Sequence, residues 1–241
     1  MKFSTLVLIG SALAGASALA IANAPIGAKP ESPVLVELFT SQGCSSCPPA
    51  DELAAKLASD PGLVVVSRPV TYWDRLGWRD TLAREENTTL QNAYAKRGLA
   101  GRNGVCTPQI VVDGARGTVG SNAEQIRQFI RQSADASAAI AFSRRGEGYS
   151  LGVGGAGKAE LVLLALSAHE TVRIGSGENG GRQIAYTNVV RSERKLADWQ
   201  GGKLTVPPPS TQLRTAGANR YALVLREANG GKVLAARMLP D

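Results

Sequence analysis

One short stretch, residues 34–49, constrains the fold and the chemistry of this chain more than any other part of it. Its first half, Val34–Thr40, is an apolar run rich in β-branched residues and too short for a helix, which predicts a buried strand. A glycine turn then leads to the pair Cys44-x-x-Cys47, and Pro48 opens a predicted helix at a position where proline is tolerated. The partial positive charge of that helix end favours the thiolate of Cys44. Because the thiolate is the nucleophile of disulfide exchange, the stretch predicts redox chemistry.

Composition separates the classes of site that use two cysteines at this spacing. A zinc site needs four ligands, and the 241-residue chain contains three cysteines and one histidine, which argues against a closed zinc site. A structural disulfide and a redox-active pair both remain compatible with the spacing. We favour the redox-active pair because strand, turn and helix lie where that chemistry needs them, and we predict no metal and no cofactor.

Residues 1–20 have the pattern of a signal peptide. Lys2 supplies the positive charge, Leu6–Leu19 form a short apolar core, and Ala18-Leu19-Ala20 places small residues at a cleavage position. Cleavage would place the mature chain in the periplasm or outside the cell, where disulfides persist. No later segment approaches the ~20 apolar residues needed to span a bilayer, so we expect no membrane-spanning segment after cleavage.

The basic surplus of the chain lies in its second half. Residues 140–241 carry 14 Lys and Arg against 8 Asp and Glu, whereas residues 25–139 carry 12 of each sign. Two interpretations remain open: a soluble domain rich in arginine, or a surface attracted to an anionic membrane or cell-wall polymer. Nucleic acid is not a predicted partner, because the exported chain has few aromatic residues and no recognition motif.

The first half of the mature chain alternates strands with helices. The expected elements are strands at Val34–Thr40 and Leu63–Val70, a hairpin of Gln109–Val112 with Thr118–Val119, and helices at Pro48–Ser59, Thr81–Arg97 and Asn122–Ser133. Crossover helices between strands imply a partly parallel sheet, to which the hairpin adds antiparallel strands. We assign these elements to an α/β domain over residues 33–135.

After a segment of small and polar residues, 133–148, the pattern changes to short β-rich runs separated by glycine turns. Seven strands are expected, at Tyr149–Val153, Ala159–Ser167, Val172–Ile174, Arg182–Val190, Lys203–Val206, Tyr221–Arg226 and Lys232–Leu239. Seven strands in about a hundred residues are typical of a β-sandwich. We therefore expect a linker and then a β-sandwich-like domain over residues 148–241.

The order of elements around the cysteine pair resembles the thioredoxin-like oxidoreductases over residues 34–133. In that family a cis-proline loop packs beside the two cysteines and presents its main chain to the substrate, and the resemblance implies this role for Thr107 and Pro108. It also implies that Glu37 is a buried carboxylate that assists proton transfer from the resolving thiol. The alternative for Glu37 is an ordinary strand glutamate at a solvated edge.

A longer resemblance covers nearly the whole mature chain. It rests on Glu37 to Asp51, on Tyr72-Trp73-Asp74 with Leu76-Gly77-Trp78, and on Thr107-Pro108-Gln109 with Val112-Asp113-Gly114. These phrases resemble a family of secreted bacterial proteins, the domain of unknown function 1223, which is catalogued as thioredoxin-like. The resemblance implies fold and export, and it implies no substrate.

Cys106 departs from that family, in which a tyrosine is usual at this position. Its place two residues before Pro108 allows three interpretations. It is a third redox partner of Cys44, or one ligand of a three-thiolate Cu(I) site, since soft sulfur suits Cu(I). The third interpretation is a small, buried apolar residue.

Together these observations predict an α/β thioredoxin-like domain followed by an all-β sandwich-like domain. We expect an exported thiol–disulfide oxidoreductase whose partners are protein thiols or disulfides. Cys44 attacks or receives the substrate disulfide, Cys47 resolves it, Thr107 and Pro108 dock the substrate, and Glu37 relays the proton. The alternatives are a non-catalytic binding protein with a structural disulfide, and a Cu(I)-binding chaperone.

Overall fold

The computed structural model describes residues 32–99, 104–133, 138–145, 148–206 and 215–240. The strands of this part are β1 Val34–Thr40, β2 Leu63–Pro69, β3 Gln109–Val112, β4 Arg116–Val119, β5 Ala138–Arg145, β6 Gly148–Gly155, β7 Ala159–Arg173, β8 Gln183–Trp199, β9 Leu204–Val206, β10 Arg220–Arg226 and β11 Val233–Met238. The helices are α1 Pro48–Leu57, α2 Glu85–Lys96 and α3 Ala123–Gln132, with a short 3-10 turn at Asp74–Leu76. The predicted signal peptide, residues 1–20, lies outside the described residues.

One mixed sheet dominates the fold. Its eight strands lie in the order β11-β10-β7-β8-β2-β1-β3-β4, and β5, β6 and β9 form a second, three-stranded sheet. Strand β1 runs parallel to β2 and antiparallel to β3, which forms a hairpin with β4. Strand β8 pairs with β2 in parallel at Ser67 and Val189, and through β7 it connects β10 and β11 to the same sheet.

The predicted fold class is therefore wrong. Four strands from the second half of the chain extend the sheet that begins with β1, whereas we expected a thioredoxin-like domain followed by a separate sandwich. Two expected strands are one long strand, the 15-residue β7, which pairs with the 17-residue β8. The expected linker contains strand β5. Local patterns identify a strand, but they do not show which sheet completes its hydrogen bonds.

The two faces of β1 are covered by different elements. Val36 and Leu38 pack with Ala50 of α1 and Ile126 of α3, whereas Phe39 points to the opposite face and contacts Tyr94 of α2, with ring centroids 5.9 Å apart. Successive residues of a strand alternate between its two faces, so the even-numbered residues of β1 face α1 and α3 and the odd-numbered residues face α2. The small sheet packs against β7, β10 and β11 through a third cluster that includes Trp199 of β8. No helix in the described part of the chain is long and apolar enough to cross a membrane.

Candidate functional site

A disulfide joins Cys44 and Cys47 where the loop after β1 meets α1. The Cα atoms of the two cysteines are 5.4 Å apart. Cys47 caps the helix: its carbonyl accepts hydrogen bonds from the N–H groups of Ala50 at 2.8 Å and Asp51 at 3.1 Å. The predicted pair is thus brought together at the N-terminus of α1, where the helix dipole favours negative charge on sulfur.

Both cysteines are fully buried, and a second segment packs on the loop that carries Cys44. This segment is the capping turn, residues 174–182, which joins β7 to β8. The buried side chain of Asn179 donates from Nδ2 to the carbonyl oxygens of Gln42 and Cys44, each at 2.9 Å. The N–H of Ser45 donates to Oε2 of Glu178 at 3.0 Å. Nothing in the pattern around Cys44 predicts this packing, because Asn179 lies 135 residues later in the chain.

The loop before β3 lies beside the start of α1. The peptide bond between Thr107 and Pro108 is cis. A Cβ placed on Gly120 would lie 2.8 Å from the Cβ of Pro108 and 3.2 Å from that of Ala50, so Pro108 is adjacent to the first turn of α1. Trp73 donates from Nε1 to Thr107 Oγ1 at 2.7 Å. The structure thus places Thr107 and Pro108 beside α1, and their substrate-docking role stays a prediction.

Glu37, the predicted proton relay, lies on the face of β1 opposite to α1. Its carboxylate is fully buried: Oε1 accepts from Arg68 Nε at 2.7 Å and Arg226 Nη2 at 2.6 Å, and Oε2 accepts from the hydroxyl of Tyr94 at 2.5 Å. Glu193 completes a ring by pairing with both arginines, at 2.7 and 3.1 Å. Two guanidinium groups pair with Glu37, and the sheet separates it from the disulfide. This geometry assigns Glu37 to the stability of the sheet.

A different acid, Asp51, lies on the disulfide's side of the sheet. It follows Cys47 by four residues, and side chains four apart share one face of a helix. Asp51 is 2% exposed, and neither of its carboxyl oxygens has a hydrogen-bond partner among the described residues. The hydroxyls of Thr40, Ser67 and Tyr186 are buried and unpartnered in the same sense. Burial raises the pKa of Asp51 well above its usual range.

The neighbouring acids Asp80 and Glu52 add to the rise in the pKa of Asp51, and the Thr40 hydroxyl partly opposes it. Burial raises the pKa of Asp80 to about 6, and the two acids repel each other electrostatically. Asp80 also accepts the N–H of Gln42 at 2.8 Å, which fixes the main chain two residues before Cys44. The pKa of Tyr186 is raised, first by burial and then by Asp51 and Asp80. Sequence analysis missed Asp51, although its four-residue spacing from Cys47 was available to find it.

Cys106 carries a free, partly buried thiol. Its carbonyl accepts a hydrogen bond from Gln91 Nε2 at 2.7 Å. Within the described ranges, no three His, Cys, Asp or Glu side chains are grouped to hold a metal ion. With Cys44 and Cys47 joined in a disulfide, the three cysteines do not form such a group, and the Cu(I) interpretation stays a prediction.

The fold and the site together define a mixed-sheet protein with a buried Cys-x-x-Cys disulfide. A family model described as a protein of unknown function, DUF1223, matches residues 35–226, and the chain belongs to this family. The predicted membership is thereby confirmed. No curated protein matches the chain.

Two solved structures are similar to this chain. Protein AGR_C_4864 from Agrobacterium tumefaciens is 32% identical, with a TM-score of 0.73, and the match covers 86% of this chain and 93% of that one. HBP35 of Porphyromonas gingivalis is 14% identical, with a TM-score of 0.51, over 86% of this chain and 74% of that one. The second likeness concerns the fold alone.

Proposed function

We propose that this protein is a thiol–disulfide oxidoreductase, which exchanges its Cys44–Cys47 disulfide with thiols and disulfides of other proteins. The observation that carries the proposal is the buried, unpartnered carboxyl of Asp51, one helical turn beyond a disulfide at the start of α1. An acid in this position can give a proton to a cysteine that leaves as a thiolate, and can take it back in the reverse direction. The proposed compartment is the periplasm or the exterior, in keeping with the predicted signal peptide.

The exchange needs no further oxidant. A substrate thiolate attacks Cys44 Sγ, the Cys44–Cys47 bond breaks, and Cys47 leaves with the electron pair and takes the proton of Asp51. The second substrate thiol gives its proton, through solvent, to the Asp51 carboxylate, and its sulfur attacks the substrate sulfur of the mixed disulfide, which releases Cys44 as the leaving thiolate. The substrate is then a disulfide, and the protein carries the Cys44 thiolate, the Cys47 thiol and a protonated Asp51; the reverse sequence reduces a substrate disulfide.

A structural disulfide is the second candidate, and the complete burial of both sulfurs favours it. The size of the disulfide ring argues the other way. Closing a loop with a sequence separation of only three removes little chain entropy, about 2 kcal/mol in the chain-entropy model compared with about 3 for a 15-residue loop. A purely structural disulfide also does not require the unpaired carboxyl of Asp51, and burying such a group costs free energy. Perturbed carboxyls of this kind concentrate at functional sites.

Asp51→Asn should slow reaction of the disulfide with a dithiol peptide by about 10²-fold at pH 7, because asparagine cannot supply the proton. The rate constant, measured by rapid quench and mass spectrometry from pH 5 to 9, should also lose the pH dependence that we expect in the wild type from the raised pKa of Asp51. Glu124→Gln is the matched control, since Glu124 is an exposed acid in the first turn of another helix, α3. Equal rates for Asp51→Asn and wild type would contradict a role for Asp51 in proton transfer.

The same substitution should change how stability depends on pH. The folded-state pKa of Asp51 is raised, so the stability due to its neutral form is present at low pH and lost as pH rises through that pKa. Asparagine does not titrate. The urea midpoint of Asp51→Asn should therefore rise relative to that of the wild type between pH 5 and pH 9. A constant difference between the two midpoints over this range would show that Asp51 is not buried as a neutral acid.

A further inference from the structure

The side chain of Ser46 contacts the sulfur of Cys44. Its Oγ lies 3.3 Å from Cys44 Sγ, a distance at which a hydroxyl hydrogen-bonds to sulfur. A disulfide sulfur carries no hydrogen, so the hydroxyl is the donor. Ser46 is exposed, whereas Cys44 is fully buried. The contact therefore joins a buried sulfur to a hydroxyl at the surface.

A closed turn places this hydroxyl beside the sulfur. The N–H of Cys47 donates to the carbonyl of Cys44 at 3.1 Å, and the N–H of Cys44 donates to the carbonyl of Ser41 at 3.2 Å. Ser46 lies inside the first of these two turns, so the main chain holds its side chain near Cys44. Within the described part of the chain, no second group takes a hydrogen bond from the Ser46 hydroxyl.

The main-chain donors of the first turn of α1 are not available to that sulfur. Pro48 and Pro49 carry no N–H. The next two N–H groups, those of Ala50 and Asp51, both donate to the carbonyl of Cys47. Free N–H groups are what a helix N-terminus ordinarily offers to an anion. Here a side-chain hydroxyl supplies the hydrogen bond instead.

The charged groups around the loop do not supply a positive partner for a Cys44 thiolate. Glu178 accepts the N–H of the residue after Cys44 at 3.0 Å, and Asp80 accepts the N–H of the residue two before it at 2.8 Å. Negative charges this close disfavour a second anion. Arg182, the cation of the capping turn, donates to Asn179 Oδ1 at 2.8 Å. A hydrogen bond from a neutral donor is therefore the contact that favours charge on this sulfur.

We propose that the Ser46 hydroxyl donates a hydrogen bond to the Cys44 thiolate of the reduced protein, and that Ser46 is thereby a catalytic residue of the exchange. This inference rests on the proposed function. A substrate that enters with one thiolate and one thiol gives the protein two electrons and one proton, which leaves Cys44 as a thiolate and Cys47 as a thiol. The substrate becomes the disulfide.

The hydrogen bond should favour the reduced form of the pair. A charged acceptor binds a hydroxyl more strongly than a neutral one does. Ser46 therefore stabilises the Cys44 thiolate more than it stabilises the disulfide. Stabilising the reduced form makes the disulfide a stronger oxidant, and a thiol of lower pKa leaves the mixed disulfide faster.

The first test is the ionisation of Cys44 in full-length protein that also carries Cys47→Ser and Cys106→Ser, so that Cys44 is the only thiol. The rate of its alkylation by iodoacetamide, measured as a function of pH, gives its pKa. Ser46→Ala should lower the ionisation constant of Cys44 about tenfold or more, which raises the pKa by about one unit or more, because hydrogen bonds to charged groups are the stronger ones.

Two further variants separate the hydroxyl from the shape of the turn. Ser46→Thr keeps the hydroxyl and should restore the pKa of Cys44. Ser59→Ala is the matched control, since Ser59 is an exposed serine just past the other end of α1, and it should leave this pKa unchanged. Equal pKa values with Ser46 and with Ser46→Ala would overturn the proposal. Equal shifts in Ser46→Ala and Ser46→Thr would overturn it as well.

The midpoint potential of the cysteine pair is the second readout. A tenfold loss of stabilisation of the reduced form makes the midpoint more negative by about 30 mV, measured at a pH above the pKa of Cys44. If Ser46→Ala shifts the pKa and the midpoint but no dithiol peptide exchanges with the wild type, the proposed function fails and the hydrogen bond to the thiolate stands. If the peptide exchanges and Ser46→Ala changes neither quantity, the inference fails and the proposed function stands.

Discussion

Glu37→Ala should lower the free energy of unfolding by about 3–5 kcal/mol, the cost of leaving buried charges without their partner. The carboxylate accepts hydrogen bonds from Arg68 and Arg226, both buried, and from Tyr94. Without it, the two guanidinium groups would share the carboxylate of Glu193, and Arg68 would keep its hydrogen bond to Asn87. The three elements that Glu37 joins to β1, namely β2, α2 and β10, would lose their common partner.

Urea unfolding at pH 7, followed by tryptophan fluorescence, measures this loss. Glu160→Ala is a suitable control, because Glu160 forms an exposed pair with Lys195 at 2.9 Å and exposed pairs contribute about 0–1 kcal/mol. A loss below about 1 kcal/mol for Glu37→Ala would contradict the structural role of the ring. The exchange rate of whatever Glu37→Ala protein remains folded should match the wild type, since Glu37 lies across the sheet from the disulfide.

Cys44→Ser should abolish exchange altogether, because the mixed disulfide with the substrate forms on the sulfur of Cys44. Cys47→Ser should still react once through Cys44 and then stop, since the resolving thiol is missing. Incubation of the reduced variant with a disulfide peptide should therefore give one equivalent of a stable protein–peptide adduct, detected by intact-mass spectrometry. The two single substitutions thus separate the attacking cysteine from the resolving one.

Cys106→Ser is the control for these two variants, because Cys106 is the remaining cysteine of the chain. Its exchange rate should equal that of the wild type. Turnover by Cys44→Ser would contradict the assignment of the exchange to Cys44 and Cys47. An adduct on Cys106 when Cys44 and Cys47 are both serine would contradict it as well.

The sequence predicted the elements that local patterns determine. The strands β1 and β3 have the predicted limits, and α1 starts at the predicted Pro48. The disulfide was predicted from the spacing, with its use as a redox-active or a structural bond left open, because a three-residue separation brings the sulfurs together in a helix-opening turn. Each of these features depends on residues close in the chain.

The features that sequence analysis missed join distant residues. Arg226 reaches Glu37 across 189 positions, and Asn179 reaches Gln42 across 137. A polar residue in a strand pattern, such as Glu37, does not show whether an arginine or solvent will face it. The alternation of buried and exposed residues along β8 is likewise compatible with a place in a separate sandwich and with pairing to β2 in the large sheet. The fold class was wrong for this reason, because sheet membership depends on pairings that no local pattern contains.

The central claim is that the Cys44–Cys47 disulfide is in reversible exchange, and a redox titration tests it most directly. The protein without its predicted signal peptide, and its Cys106→Ser variant, would be equilibrated with glutathione buffers, with dithiothreitol buffers extending the range, and the reduced fraction measured by thiol labelling. The account predicts one reversible two-electron transition in both proteins, with a midpoint between about −270 and −120 mV, as for proteins that exchange disulfides. A disulfide that stays intact below about −300 mV would contradict the account and mark the pair as a structural staple.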